Sequence, residues 1–166
     1  MSPIIFYLAH FAVLAYALVG GVFLAFSDFI MRALSLTSGQ GGAEAMQAIN
    51  REVVRWVFMV LFLGLVPVSL LLAAYGALVV GHGPGFVMML AGLTYVVGCF
   101  GVTAVFNVPM NKTLAGMETS AEATLDYWSR TYLPRWSFWN TVRTVACGLS
   151  AALLLFSLAW AAQSPA

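Results

Sequence analysis

Charge is confined to two stretches of this chain: every Asp, Glu, Lys and Arg falls between Asp28 and Arg55 or between Lys112 and Arg143. Around these windows lie four apolar runs, Ile4 to Phe26, Trp56 to Val80, Phe86 to Phe106 and Thr144 to Ala162. Each can cross a hydrocarbon layer of about 30 Å, which takes roughly 20 helical residues. With 62% hydrophobic and 8% charged residues, and a mean hydropathy of +0.94, a folded form in water would expose too much apolar surface, so lipid is the expected solvent. Continuous apolar runs favour helices over barrel strands, which alternate, and only these two solutions satisfy backbone groups in lipid. The expected fold is all-α, an integral membrane four-helix bundle with cytoplasmic helix extensions and short amphipathic helices. One domain is expected over residues 1–166, with spans at about 4–26, 56–80, 86–106 and 144–162.

Met1-Ser2-Pro3 supplies no basic n-region, and the first run is longer than a signal-peptide core, so it is read as a span. An even number of spans puts both termini on one side and both charged windows on the other. The link Gly81-His82-Gly83-Pro84-Gly85 has no Lys or Arg. Positive-inside counting therefore places the charged windows in the cytoplasm of a multi-pass cell-membrane protein, with both termini outside. Acids and bases are interspersed in each window, which argues against a nucleic-acid partner.

The chain reads as two hairpins, each a span, a charged amphipathic stretch and a second span, with no residue-level repeat between them. After the turn-rich Thr37 to Gly42, strong helix formers from Ala43 run into the second span. An uninterrupted helix from Ala43 to Val80 would be about 57 Å long and would project into the cytoplasm, with Pro67 kinking it in mid-membrane. Thr119 and Glu122 have capping-box spacing and predict a helix start. Pro134 predicts a break or sharp bend before the fourth span, and Pro109 a break at the end of the third. Trp56, Trp128, Trp136 and Trp139 all fall on the charged side, where an interfacial aromatic belt accounts for at least half of them.

Polar groups at the charged ends of the spans must find partners or line a cavity. Asn107 and Asn111 flank Pro109, and either satisfy the disrupted helix end or act as donors to a ligand oxygen. Trp136, Asn140 and Arg143 follow at i, i+4 and i+7 and share one helical face. Facing inward, they offer an aromatic plane, an amide and a guanidinium to a flat oxygenated molecule; facing outward, they anchor and snorkel. Gln47, Asn50, Arg51, Glu52 and Arg55 form either a charge network across helices or a solvated face.

His10 lies in the outer half of the first span, where one hydrogen bond would satisfy it; it is the first candidate ligand if a metal or haem is bound. No metal-ligand spacing surrounds it, and no metal ligands and no cofactor are predicted. Cys99 and Cys147 lie inside spans without CxxC spacing and read as buried and inert. The chain contains no GxGxxG, P-loop, HExxH or Ser/His/Asp pattern.

Four motifs occur in order: Gly21 to Met31 with Ala33-Leu34; Ala45 to Asn50; Gly101 to Asn111; and Trp136 through Asn140 to Arg143-Thr144. Together they resemble the anthrone-oxygenase-like family of small membrane proteins, over nearly the whole chain. The pattern usually has Leu where Met110 stands, a mild departure. The resemblance implies oxidation of anthrones to anthraquinones with O2 and no evident metal, flavin or haem. It also implies Asn107, Asn111, Trp136, Asn140 and Arg143, with Asn50, as pocket residues.

The residues lead to a membrane-embedded protein that binds a small flat oxygenated aromatic or quinone-like molecule within the lipid bilayer, and the resemblance implies that it is a cofactor-independent oxygenase, an oxidoreductase acting with O2 on an anthrone-like substrate. In such chemistry the deprotonated substrate supplies the electrons, so a base is needed. Asp28 and Glu52 are the candidates, since burial can raise a carboxylate pKa. The alternatives are a non-catalytic ligand-binding, assembly or accessory protein; a haem- or metal-dependent oxidoreductase; and a transporter, least supported for want of an intramembrane acid. A homo-oligomer is left open.

Overall fold

A computed structural model describes residues 2–55 and 57–163. Trp56, expected both to open the second span and to join the aromatic belt, lies outside the described residues. The described residues form helices without strands: α1 (Pro3–Ser35), α2 (Gly41–Glu52), α3 (Val57–Val80), α4 (Pro84–Ala115) and α5 (Glu122–Gln163). All but α2 are long and apolar enough to cross a membrane. α5 packs along α1 and α4, and α3 closes the bundle against both of these. The link between α3 and α4 turns at Gly81 and Gly83, with φ of 75° and 65°, values that a residue with a Cβ adopts only with strain.

Two hydrophobic clusters stack along the bundle. The larger lies among the spans and centres on Tyr16, Phe62, Leu72, Tyr95, Cys147 and Leu154. The smaller joins Met31, Ala43, Met46, Leu114, Trp128, Tyr132 and Trp136 at the charged end. Trp128 and Trp136 are thus interior residues, not members of a surface belt, while Trp139 is half-buried and stacks on Phe106 at 3.6 Å.

The structure corrects several local expectations. Helical backbone continues through both Pro109 and Pro134. Each lies at the second position of an α-helical segment, directly after a π-helical turn, Thr103–Asn107 or Trp128–Tyr132. The wider turn shifts the hydrogen-bond ladder there, and proline is tolerated near the start of an α-helical segment because its missing N–H is least needed there. α5 begins at Glu122 with Ala121 as N-cap and no side-chain cap, so Thr119 does not form the expected box. The long helix expected from Ala43 is interrupted by a 3₁₀ turn at Val53–Arg55. α2 is docked rather than projecting, because Gln47 Nε2 donates to the carbonyls of Leu114 and Met117 at 2.7 and 3.0 Å. Gly42 brings α2 close to the Leu34 carbonyl and the Trp128 ring, leaving no room for a Cβ.

Candidate functional site

At the charged end, α1, α2, α3, α4 and α5 surround a half-open hollow of about 330 Å³, within the size range of small-molecule sites, about 300–1,000 Å³. Its apolar wall comes mainly from Val22, Phe23, Phe26, Phe58, Met59 and Phe62. Its polar groups are Gln47, Asn50, Arg51, Thr103, Asn111, Lys112 and Arg143, with no carboxylate among them.

Three π-helical turns build this end. They occupy Phe26–Ile30 in α1, Thr103–Asn107 in α4 and Trp128–Tyr132 in α5. Each changes the facing of the residues that follow relative to a regular helix, as π turns at functional sites commonly do.

Arg143 is the deepest charge. It is only 4% exposed, and its guanidinium carbon sits 4.2 Å from the Phe23 ring centre and 5.2 Å from that of Trp136. Nη1 donates to Thr103 Oγ1 at 3.2 Å and Nη2 to Asn140 Oδ1 at 2.6 Å, while buried Nε has no partner. Among the described residues no carboxylate forms an ion pair with it: the ion pairs are Arg55–Glu52 and Arg130–Asp126, each between residues three or four apart in the chain. A guanidinium remains protonated in proteins, so this site holds an uncompensated buried charge.

Asn140 is fully buried and donates to the Phe23 carbonyl and Ser27 Oγ, both at 2.7 Å. With its oxygen on Arg143, it ties α1 to α5 and lies outside the hollow's lining. Asn107 is also fully buried and outside the lining; Nδ2 donates to the Trp136 carbonyl at 3.3 Å, and Oδ1 has no partner. The lining does include Asn50, Asn111, Trp136 and Arg143. Asn111 Oδ1 accepts from Tyr132 Oη at 2.7 Å and Trp136 Nε1 at 2.8 Å. Tyr132 Oη in turn accepts from Asn50 Nδ2 at 3.3 Å. Two donors on its oxygen fix the orientation of the Asn111 amide.

The two carboxylates singled out in the sequence are not brought here. Asp28 is exposed, and Glu52 pairs with Arg55 at 3.2 Å in an exposed position, so neither has the burial that the base role requires. These pairs also replace the cross-helix charge network with local contacts. His10 is exposed, and its Nδ1 lies 2.8 Å from the Phe6 carbonyl of its own helix. No group of three His, Cys, Asp or Glu among the described residues is arranged to hold a metal ion.

The sequence reading missed Thr103 and Lys112, which line the hollow, and Tyr132, which bonds to the lining residues Asn50 and Asn111, and it took Arg51 only as part of a charge pattern. Tyr132 continues the Trp136, Asn140 and Arg143 stripe one turn back, but the break expected at Pro134 concealed it. Thr103, Asn107 and Asn111 repeat every four residues, a signal that was open to reading.

A family model described as anthrone oxygenase matches residues 56–153. No curated protein and no solved structure matches the chain. The matched segment contains Asn107, Asn111, Trp136, Asn140 and Arg143, with Asn50 preceding it. On the strength of that match, which covers more than half of its length, this chain with four membrane-span-capable helices belongs to the anthrone oxygenase family.

Proposed function

We propose that this protein is a membrane oxidoreductase that binds a flat, hydroxylated aromatic as its anion in the charged-end hollow and lets it react with O2. The charged end faces the cytoplasm in this reading, as the placement of Lys and Arg suggests. The observation that carries it is Arg143, a buried cation with no protein counter-ion, an unpartnered Nε and two aromatic rings beside it. An enolate or phenolate oxygen would supply the missing charge, and the rings suit a planar ligand.

For an anthrone the chemistry balances without an external reductant. The ring methylene loses a proton to give a delocalised carbanion, which reduces O2 and forms a carbon–oxygen bond. Protonation gives a hydroperoxide. Loss of the second C–H proton and cleavage of the O–O bond then yield the new carbonyl and one water. Arg143 would hold the anion's oxygen, Trp136 would lie against the ring, and the Asn111 amide would donate to a second oxygen. Stabilising the anion lowers the demand on the base, and with no carboxylate in the lining the proton leaves to water at the half-open mouth.

The test is O2 uptake and anthraquinone formation by purified protein in non-ionic detergent, with a hydroxyanthrone as substrate. The expected result is one O2 consumed per anthraquinone, above the autoxidation blank. Arg143→Leu should lower this rate about thirtyfold or more, the equivalent of the roughly 2–5 kcal/mol at stake in a buried charge contact. Its folding stability should fall by no more than about 1–3 kcal/mol, the cost of leaving buried Asn140 Oδ1 without its donor, so the variant stays folded under assay conditions. No rate above the blank, or an unaffected Arg143→Leu, would refute the reading. The non-catalytic alternative is favoured by Asn140 and Asn107, which lie outside the lining and whose bonds to the Phe23, Ser27 and Trp136 groups tie helices together.

A further inference from the structure

Beyond Arg143, the hollow has a second cationic region. On α2, Gln47, Asn50 and Arg51 recur at helical spacing and, with Val54 of the 3₁₀ turn that follows, line one side; on α4, Val108, Asn111, Lys112 and Ala115 line another. Each of these faces carries an amide next to a cation, Asn50-Arg51 on one and Asn111-Lys112 on the other. The hydrogen bonds from Gln47 to the Leu114 and Met117 carbonyls hold the two helices together. Arg51 and Lys112 are exposed, whereas Arg143 is 4% exposed. The hollow is therefore two-ended, with a buried guanidinium between aromatic rings at depth, an apolar wall, and a solvated pair of cations at the mouth.

A ligand carrying only the oxygen that meets Arg143 would leave the mouth cations facing an apolar ring edge. A ligand with a second acidic group at its far end would match all three charges. We infer that the preferred ligand is an aryl carboxylic acid: a planar hydroxylated ring system with its phenolate or enolate end at Arg143 and a carboxylate between Arg51 and Lys112. The inference rests on the proposed binding of an aromatic anion in this hollow and adds the chemical class of that ligand.

The probes are a dihydroxyanthraquinone and the same ring system bearing one carboxylate on the edge remote from its hydroxyl groups. Both are titrated into full-length protein in non-ionic detergent. The carboxylate should bind about tenfold more tightly, from two screened contacts each worth up to roughly fivefold. Raising the salt concentration should shrink that ratio, because the mouth cations are exposed to screening. In the double variant Arg51→Gln/Lys112→Gln the ratio should fall to near one, whereas Arg32→Gln, an exposed cation outside the hollow, should preserve it.

Equal affinities for the two probes in the unaltered protein, or a ratio that survives in the double variant, would overturn the inference while leaving the proposed function standing. Stronger displacement of the unsubstituted probe by short-chain phosphatidic acid than by the carboxylated ring would assign the cations to lipid and likewise overturn it. Binding of neither probe would overturn both.

Discussion

The bundle has a hollow at each end, and the two are finished differently. At the uncharged end a hollow of about 600 Å³ is lined by Phe6, Val79, Val80, Met88, Leu158 and neighbours, with Tyr75 and His82 as its main polar side chains. Tyr75 Oη already accepts from the Ser2 amide at 3.1 Å. Below it the spans pack closely: Gly76 and Gly85 bring α3 and α4 together, and Gly92 lies against the Ser69 carbonyl. Polar groups there are consumed internally, with Tyr16 and Ser69 hydroxyls 2.6 Å apart, Tyr95 Oη donating to the Phe62 carbonyl at 2.8 Å and Ser157 Oγ donating to that of Pro84 at 2.7 Å. Ser150 Oγ is the one buried hydroxyl in this region without a partner.

At the charged end the hollow is smaller and retains a buried cation whose Nε–H has no hydrogen-bond partner among the described residues. The contrast shows that cavity size does not identify the site. A small neutral hydroxyl left unpaired in a membrane protein is a modest penalty, whereas an uncompensated guanidinium is a large one. In the proposed function the ligand's anionic oxygen supplies the missing counter-charge.

Three substitutions separate the two ends. The largest effect on stability is expected for Asn140→Ala, which removes the tie from α5 to Phe23 and Ser27 and deprives Arg143 of an acceptor. A loss of about 2–4 kcal/mol is expected from hydrogen bonds each worth about 1 kcal/mol and a charge left less satisfied, read as a lowered unfolding midpoint in detergent. An unchanged midpoint would mean that the charged end is held together by packing alone. Next is Gly92→Ala in the tightly packed region, where the new methyl would meet the Ser69 carbonyl and lie 3.1 Å from Ala73 Cβ. Overpacking of about 1–3 kcal/mol should lower the same midpoint while leaving probe affinity at the other end intact; a parallel loss of affinity would show that the two ends are coupled.

The smallest effect belongs to Tyr132→Phe, which deletes the hydroxyl between Asn50 and Asn111 and leaves the Asn111 amide held by Trp136 Nε1 alone. About 1 kcal/mol, or roughly fivefold in the dissociation constant of a dihydroxyanthraquinone, is expected with little change in stability. Equal affinity in this variant would remove Tyr132 from the site.

Much of the architecture was legible along the chain because lipid imposes a length and a composition on each span that a run of residues displays directly. That Trp136, Asn140 and Arg143 share one face was legible from helical spacing, while its inward direction was left open between pocket and snorkelling and came from their burial. Spacing could not divide their labour. Arg143 and Trp136 line the hollow, while Asn140 and Asn107 lie just outside it, in contacts with the Phe23 and Trp136 carbonyls. Asp28 and Glu52 looked suitable as bases by residue type, and only their exposure removed that support. Cys99 and Cys147 gave no pairing signal, yet their sulfurs meet at 3.3 Å between α4 and α5.

What the sequence determined by itself was where the chain enters lipid, because transfer of a charged or apolar residue between water and hydrocarbon depends mainly on that residue and its near neighbours. What the tertiary structure decided was which polar atoms remain without partners. That depends on π turns carrying helices past two prolines, on α2 docking across the end of α4, and on the distances between groups far apart in the chain. An uncompensated charge is a property of everything around it, and no single stretch of sequence contains that information.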